Sequence, residues 1–226
     1  RGVYLYAMGR LGPLNDDLGQ SLIQNYLQQS HADFKPVRIL DLGCSVGHST
    51  LPYVDAYPEA EVYGLDIAAP MLRYAHARAE SLHKRVHFCQ QNAEHTNFET
   101  GSFDLIVSHI LLHEVPSPAI RNIVRECYRL LAPGGMMLHL DAPQYDTMDP
   151  YSACMFDWET ANNNEPFWSA MREMDLVALA SRVGFEARNI IHTFVASGAW
   201  MKAHRNTSSK GGFGSRGNWF VFGARK

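Results

Sequence analysis

Apolar residues recur at helical spacing from Asp16 to Gln29, where Leu18, Leu22, Ile23 and Leu27 share one face and Asn15 stands at the N-cap position. The spacing predicts an amphipathic helix that packs over the domain or over its ligand. From Val37 onward, short apolar runs alternate with helical patterns. Val37–Asp41, Glu61–Asp66, Val86–Gln91, Phe103–Ser108 and Met136–Asp141 read as strands, and Ser49–Ala56, Pro70–Leu82 and Pro118–Leu131 as helices. Strands buried on both faces and alternating with helices form a parallel sheet whose right-handed crossovers bring all strand C-termini to one edge. Ligands bind along that edge. Asp41, Asp66, Asn92, Ser108 and Asp141 all fall there. Beyond Asp141 the texture changes. Pro143–Glu165 is rich in Asp, Asn, Pro and aromatic residues, Glu173–Val183 followed by Gly184 reads as a capped helix, and Phe185–Val195 and Asn218–Ala224 read as the last strands. Ser208–Gly217 between them has the composition of a hairpin loop.

Composition narrows the function. A chain of 226 residues, 46% hydrophobic and 19% charged, builds one core rather than two domains. Twenty Lys and Arg against 23 Asp and Glu leave a net charge of -3, so no basic field holds a polyanion. The four cysteines, Cys44, Cys89, Cys127 and Cys154, form no CxxC pair, which suits reduced thiols in a cytoplasmic protein. No run approaches the roughly 20 apolar residues of a membrane span, and Arg1–Arg10 lacks the apolar core of a signal peptide.

Arg38–Gly47 runs from an apolar strand through a small-residue turn into a helix, so the backbone can approach a ligand and the helix offers free N–H groups. Three chemistries fit such a turn. Dinucleotide binding wants G-x-G-x-x-G, and Gly43, Ser45 and His48 fill those slots with only one glycine, which argues against a nicotinamide dehydrogenase. Gly43-Cys44-Ser45-Val46-Gly47 is literally the G-x-S-x-G of a serine hydrolase, with Asp141 and His192 following in the right order. Against that, the elbow would lie on the first strand, with no preceding strand to supply an oxyanion loop. The third chemistry uses more of the chain. Asp41 precedes the glycines, and Asp66 ends the second strand, where a carboxylate accepts both ribose hydroxyls of a nucleoside. Asn92-Ala93-Glu94, then Phe103–Ser108, then Leu130–Met136 with its Pro133-Gly134-Gly135, follow in order.

In this order the motifs resemble the class I S-adenosylmethionine-dependent methyltransferases, in the small-molecule branch that includes the ubiquinone and menaquinone biosynthesis enzymes. The resemblance covers about Val37–Asp141. It implies an α/β, Rossmann-like doubly wound sheet of seven strands, mostly parallel with the last strand antiparallel and helices on both faces. It implies S-adenosyl-L-methionine as cofactor and S-adenosyl-L-homocysteine as product. The chain then divides into an N-terminal helical cap over 1–36, a cofactor-binding core over 37–141, and an acceptor-binding insertion with the C-terminal strands over 142–226. Carried over position by position, Gly43, Ser45 and Gly47 line the methionine part with Asp41 near its ammonium group. Asp66 binds the ribose, Ile67 and Met71 flank the adenine, Asn92 and Ala93 meet its edge, and Ser108 approaches the amino-acid end through its backbone. Ser45 stands where the family usually has glycine and Asn92 where it commonly has aspartate.

Methyl transfer is an in-line displacement, so a protein aligns the acceptor and, for a hydroxyl or amine, removes a proton. His109, His113 and Glu114 directly follow the fourth strand, and Asp141 ends the fifth, so these four are the candidates for that proton. Tyr151, Phe156, Trp158, Phe167 and Trp168 are candidates for the wall of an acceptor pocket. A divalent ion on Asp141, Asp146 and His139 has poorly matched ligands, and no metal is expected. Ser108-His109-Ile110-Leu111 carries neither the Asn/Asp-Pro-Pro-Tyr/Phe of DNA amino methyltransferases nor a Pro-Cys nucleophile. The expected partners are therefore a small-molecule acceptor without DNA or a membrane span, for a monomer or homodimer. A non-catalytic S-adenosylmethionine-binding partner subunit would carry the same cofactor motifs.

Overall fold

The computed structural model describes residues 14–203, 212–213 and 217–226. Strands β1 (Arg38–Leu42), β2 (Glu61–Asp66), β3 (His87–Gln90), β4 (Phe103–His109), β5 (Leu131–Asp141), β6 (Ile190–Ala196) and β8 (Gly217–Arg225) form one sheet in the order β3-β2-β1-β4-β5-β8-β6, and the two-residue β7 (Gly212–Phe213) pairs with β8 off that path. β1 to β5 pair in parallel, and β8 runs antiparallel to both β5 and β6. The expected seven-stranded, mostly parallel sheet with an antiparallel last strand is what the chain builds.

Side-chain alternation along the strands produces two cores. Leu40, Leu42, Ile106, Phe220 and Phe222 bury one face against α4 (Ser117–Leu130) and α7 (Leu176–Val183). Ile39, Leu105, Val107, Leu138 and Leu140 bury the other against α1 (Asp17–Leu22), which continues through a π turn at Ile23–Leu27 and ends with Gln28–Ser30. The helices α2 (Leu51–Ala56) and α3 (Ala69–Ser81) are the crossovers on either side of β2. Beyond β5, α5 (Pro150–Asn163) and α6 (Trp168–Glu173) form an insertion before α7, and α8 (Gly198–Ala203) follows β6. Among the described residues no helix is long and apolar enough to cross a membrane.

Several expected boundaries move, each for a visible reason. β5 begins at Leu131 rather than Met136, because Leu131 pairs with Phe103 and a register shift before Leu105 carries the strand across Pro133-Gly134-Gly135. The strand expected from Phe185 begins at Ile190: Phe185 is buried, but Ala187–Asn189 close a 3-10 turn. The helix expected over Glu173–Val183 starts at Leu176, where the Asp175 carboxylate caps the Ala178 N–H, and Glu173 ends α6 instead. Asn15 does not cap α1. The N-cap residue is Asp16, whose side chain makes no capping bond. The proposed hairpin loop Ser208–Gly217 lies largely outside the described residues.

The attachment of α1 shapes the site. A Cβ on Gly19 would lie 2.4 Å from the Ser49 carbonyl oxygen and 3.2 Å from Pro52 Cγ, so the bare glycine lets α1 rest on the segment that follows β1. Alanine is the better helix former by about 1 kcal/mol, yet overpacking against backbone costs about 1–3 kcal/mol. Gly19→Ala is expected to lower the thermal midpoint, read by differential scanning fluorimetry.

Candidate functional site

At the C-terminal ends of β1 and β4, roofed by the start of α1, lies a cleft of about 130 Å³ lined by Asn15, Asp41, Gly43, Ser45, His48 and His109 among others. The turn that forms its floor alternates into the left-handed region at Gly43 (φ 67°), Ser45 (φ 49°) and Gly47 (φ 74°). Gly43 suits its positive φ, where a side chain would be strained, and a Cβ there would also press on Leu111 Cδ1 at 2.8 Å. Ser45 holds a conformation that favours glycine, and its backbone N–H donates to Asp66 Oδ2 at 2.8 Å, tying the turn to the end of β2. Burial pushes the Cys44 thiol far up, so it is not a nucleophile.

Asp41 is buried and accepts from Thr50 Oγ1 at 2.6 Å, while the His109 Nδ1 lies 3.3 Å from its other oxygen. Tyr53 hydroxyl lies 3.2 Å from His109 Nε2, and burial, reinforced by the Asp41 charge, raises the Tyr53 pKa well above its ordinary value. The protonated hydroxyl donates to Nε2, which leaves Nδ1–H to donate to Asp41. His109 thus holds Asp41 in place at the cleft. Sequence reasoning missed Tyr53 and Thr50; both sit on or beside α2, and only the fold brings them to β4.

The second part of the candidate site lies over the end of β2. Asp66 accepts the Ser45 N–H through one oxygen and the Ala68 N–H, at 2.8 Å, through the other. Beyond it Ile67 and Met71 are 69% and 45% exposed, an apolar pair open to solvent. Asn92 turns its Oδ1 back onto the Glu94 N–H at 2.9 Å, and Ala93 is buried beside it. Ser108 faces away from the cleft: its hydroxyl lies 2.7 Å from Nδ1 of the buried His139, which burial pushes down to about 4 and so keeps neutral. His139 therefore does not converge with Asp141 and Asp146 on an ion.

On the other side of β4, His113 and Asp141 meet. The Asp141 carboxylate lies 2.5 Å from His113 Nδ1 and accepts the Leu112 and Ala142 N–H groups at 2.8 and 2.6 Å. Burial alone would lower the His113 pKa, but the Asp141 charge, with hydrogen bonds to Asp141 and Glu114, overrides it and raises the imidazole to about 10. His113 is a cation at neutral pH. Glu114, hydrogen-bonded to that imidazolium, is held below the usual carboxylate range. His113, Glu114 and Glu165 place ligand atoms within 4.8 Å of one another, so the two acids surround a histidine that Asp141 already holds.

The expected acceptor wall divides. Trp168 stacks on His113 at 5.3 Å between ring centroids, Phe156 packs edge-on to Trp168, and both rings lie 4.5 Å from the Arg172 guanidinium. Phe167 is partly buried ahead of α6. Tyr151 and Trp158, expected in the same wall, are 73% and 61% exposed, because α5 turns the face carrying residues 151, 155 and 158 to solvent. Tyr145 and the buried Arg172 join the group unannounced by any sequence signal. The hydrolase constellation is not assembled: Asp141 belongs to His113, and His192 hydrogen-bonds Gln144 at 3.0 Å on β6, which three strands separate from β1 and the Ser45 turn.

A methyltransferase-domain family model matches residues 39–135. Demethylmenaquinone methyltransferase of Thermus thermophilus is 35% identical over 108 residues, 48% of this chain and 48% of that protein. The tRNA N(3)-methylcytidine methyltransferase Mettl2 of Drosophila melanogaster is 30% identical over 126 residues, 53% of this chain and 39% of that protein. The matched stretch spans at most about half the length of either relative. Among solved structures, phosphoethanolamine N-methyltransferase 2 of Haemonchus contortus in complex with S-adenosyl-L-methionine aligns over 100% of this chain and 57% of that one with a TM-score of 0.66 at 17% identity. A Pyrococcus horikoshii protein aligns over 100% and 99% with a TM-score of 0.61 at 16% identity. Residues 39–135 thus match a methyltransferase-domain model, and the chain has the fold of solved S-adenosylmethionine-dependent methyltransferases.

Proposed function

We propose that the protein transfers a methyl group from S-adenosylmethionine to a small-molecule acceptor. The observation that carries this reading is the left-handed turn Gly43–Gly47 hydrogen-bonded to Asp66 across the ends of β1 and β2. A cleft of about 130 Å³ is smaller than the roughly 300 Å³ at which whole-ligand pockets begin. It suits the amino-acid end of the cofactor, with Asp41 opposite the ammonium group. The ribose then reaches Asp66, which keeps lone pairs free beyond its two backbone bonds. Ile67 and Met71, exposed as they stand, flank the adenine, and Asn92 and Ala93 meet its edge.

Bound there, the cofactor supplies an electrophilic methyl on a sulfonium, and the residues beyond β4 present the acceptor to it. The insertion of α5 and α6 forms the acceptor side, with Phe156 and Trp168 as an apolar wall. His113, charged because of Asp141 and beside Glu114, is not a free base, and with Trp168 stacked on it the ring helps to form the acceptor side. Glu114, ionised and half-exposed, is the nearby group able to take the acceptor's proton to solvent.

Incubation with S-adenosylmethionine and a panel of phenols, catechols, carboxylic acids and amines, alongside transfer RNA, tests this by mass-spectrometric detection of S-adenosylhomocysteine. Product is expected with a small acceptor bearing an acidic hydroxyl. Product with transfer RNA alone would overturn the acceptor class, and tight cofactor binding without turnover would favour a non-catalytic partner subunit.

A further inference from the structure

Asn15 is 6% exposed, adopts φ 55°, and lines the cleft beside Asp41, Gly43 and His109. Its side-chain oxygen is buried and has no hydrogen-bond partner among the described residues. Buried amide oxygens are almost always satisfied, so an orphan on a residue that lines a cleft points to a ligand that satisfies it. The residue is firmly placed. Asparagine tolerates the left-handed region that the chain needs on entering α1, and two residues on, the Asp17 carboxylate accepts from Ser197 Oγ at 2.7 Å and the Ala199 N–H at 2.6 Å.

The neighbouring groups define the ligand atom. Asp41 brings a negative charge, but Thr50 and His109 already approach both its oxygens. His48, in the same cleft, is pushed down to about 4 by burial and the nearby Arg78, so it is neutral at physiological pH. A free acceptor oxygen in the same cleft as a carboxylate, with His48 neutral, selects a cationic N–H donor.

We propose that Asn15 is a cofactor-binding residue whose side-chain oxygen accepts a hydrogen bond from the α-ammonium group of the methionine moiety, closing the roof of the cleft from α1. This rests on the placement of the amino-acid end proposed above. It makes the start of α1 a selective element for an aminoacyl nucleoside, so that the cap reads the amino group and Asp66 the ribose.

Calorimetric titration of wild type and Asn15→Gly with S-adenosylhomocysteine, and with its analogue lacking the α-amino group, tests the assignment. Glycine accepts φ 55°, so the substitution removes the amide without straining the turn. The variant is expected to bind S-adenosylhomocysteine about tenfold more weakly and the deaminated analogue as wild type does. Asn15→Asp, which keeps an oxygen acceptor at a permitted conformation, is expected to retain or exceed the wild-type affinity. Equal losses for both ligands, or no loss for either, overturn the role of Asn15 while leaving the cofactor reading intact. A tenfold loss in Asn15→Asp also overturns it. Failure of wild type to bind S-adenosylhomocysteine overturns both.

Discussion

Asp141→Ala is expected to destabilise the protein by about 3–5 kcal/mol at pH 6, the range seen when one partner of a buried ion pair is removed, and to abolish methyl transfer. Asp141 is 1% exposed and answers three donors, His113 Nδ1 and the backbone N–H groups of Leu112 and Ala142. Its loss frees the turn after β4 as well as the imidazole. The pH dependence identifies the pair. His113 has a folded pKa raised from 6.5 to about 10, so its contribution to stability is fully present below 6.5 and fades as pH rises toward 10. The gap between wild type and Asp141→Ala, measured by urea denaturation, should therefore be widest at pH 6 and narrow at pH 9. A gap that stays constant with pH would show that the backbone bonds, not the ion pair, carry the effect.

Asp17→Ala is expected to cost about 3 kcal/mol, since leaving several buried donors without an acceptor costs about 1–3 kcal/mol each with partial relaxation. The Asp17 carboxylate is buried and accepts from Ser21 Oγ (3.1 Å), Ser197 Oγ (2.7 Å), the Ala199 N–H (2.6 Å) and Trp219 Nε1 (3.2 Å). These bonds fasten α1 to the end of β6, the start of α8 and β8. Since α1 roofs the cleft, cofactor affinity should fall along with stability. A loss under about 1 kcal/mol in chemical denaturation, with affinity unchanged, would contradict the fastening role.

What the sequence disclosed and what it hid follow from the range of the interactions. β1, β2 and β4 lie within one residue of their expected bounds, because a run of apolar residues ending in Asp or Ser is a local signal. The glycine turn and Asp66 were legible for the same reason. The pairing of His113 with Asp141 was not, because it depends on β4 and β5 lying side by side with His109 opposite Leu140. Asp41, His109 and Tyr53 come from three elements and meet only once the sheet is ordered. The insertion misled in a different way: Tyr151, Phe156 and Trp158 look alike as aromatics, and only helical phase separates the ring at Phe156 from the two that face solvent. Asn15 offered a familiar cap composition, yet the cap position fell to Asp16 and left the amide to the cleft.

The most direct measurement is isothermal titration of wild type and Asp66→Ala with S-adenosylmethionine and S-adenosylhomocysteine. Wild type should bind both in the micromolar range, and removal of a charge-assisted ribose contact worth about 1.5–3 kcal/mol should weaken binding about ten- to hundredfold. No binding by wild type, or undiminished binding by Asp66→Ala in a folded protein, would contradict a cofactor site at the ends of β1 and β2.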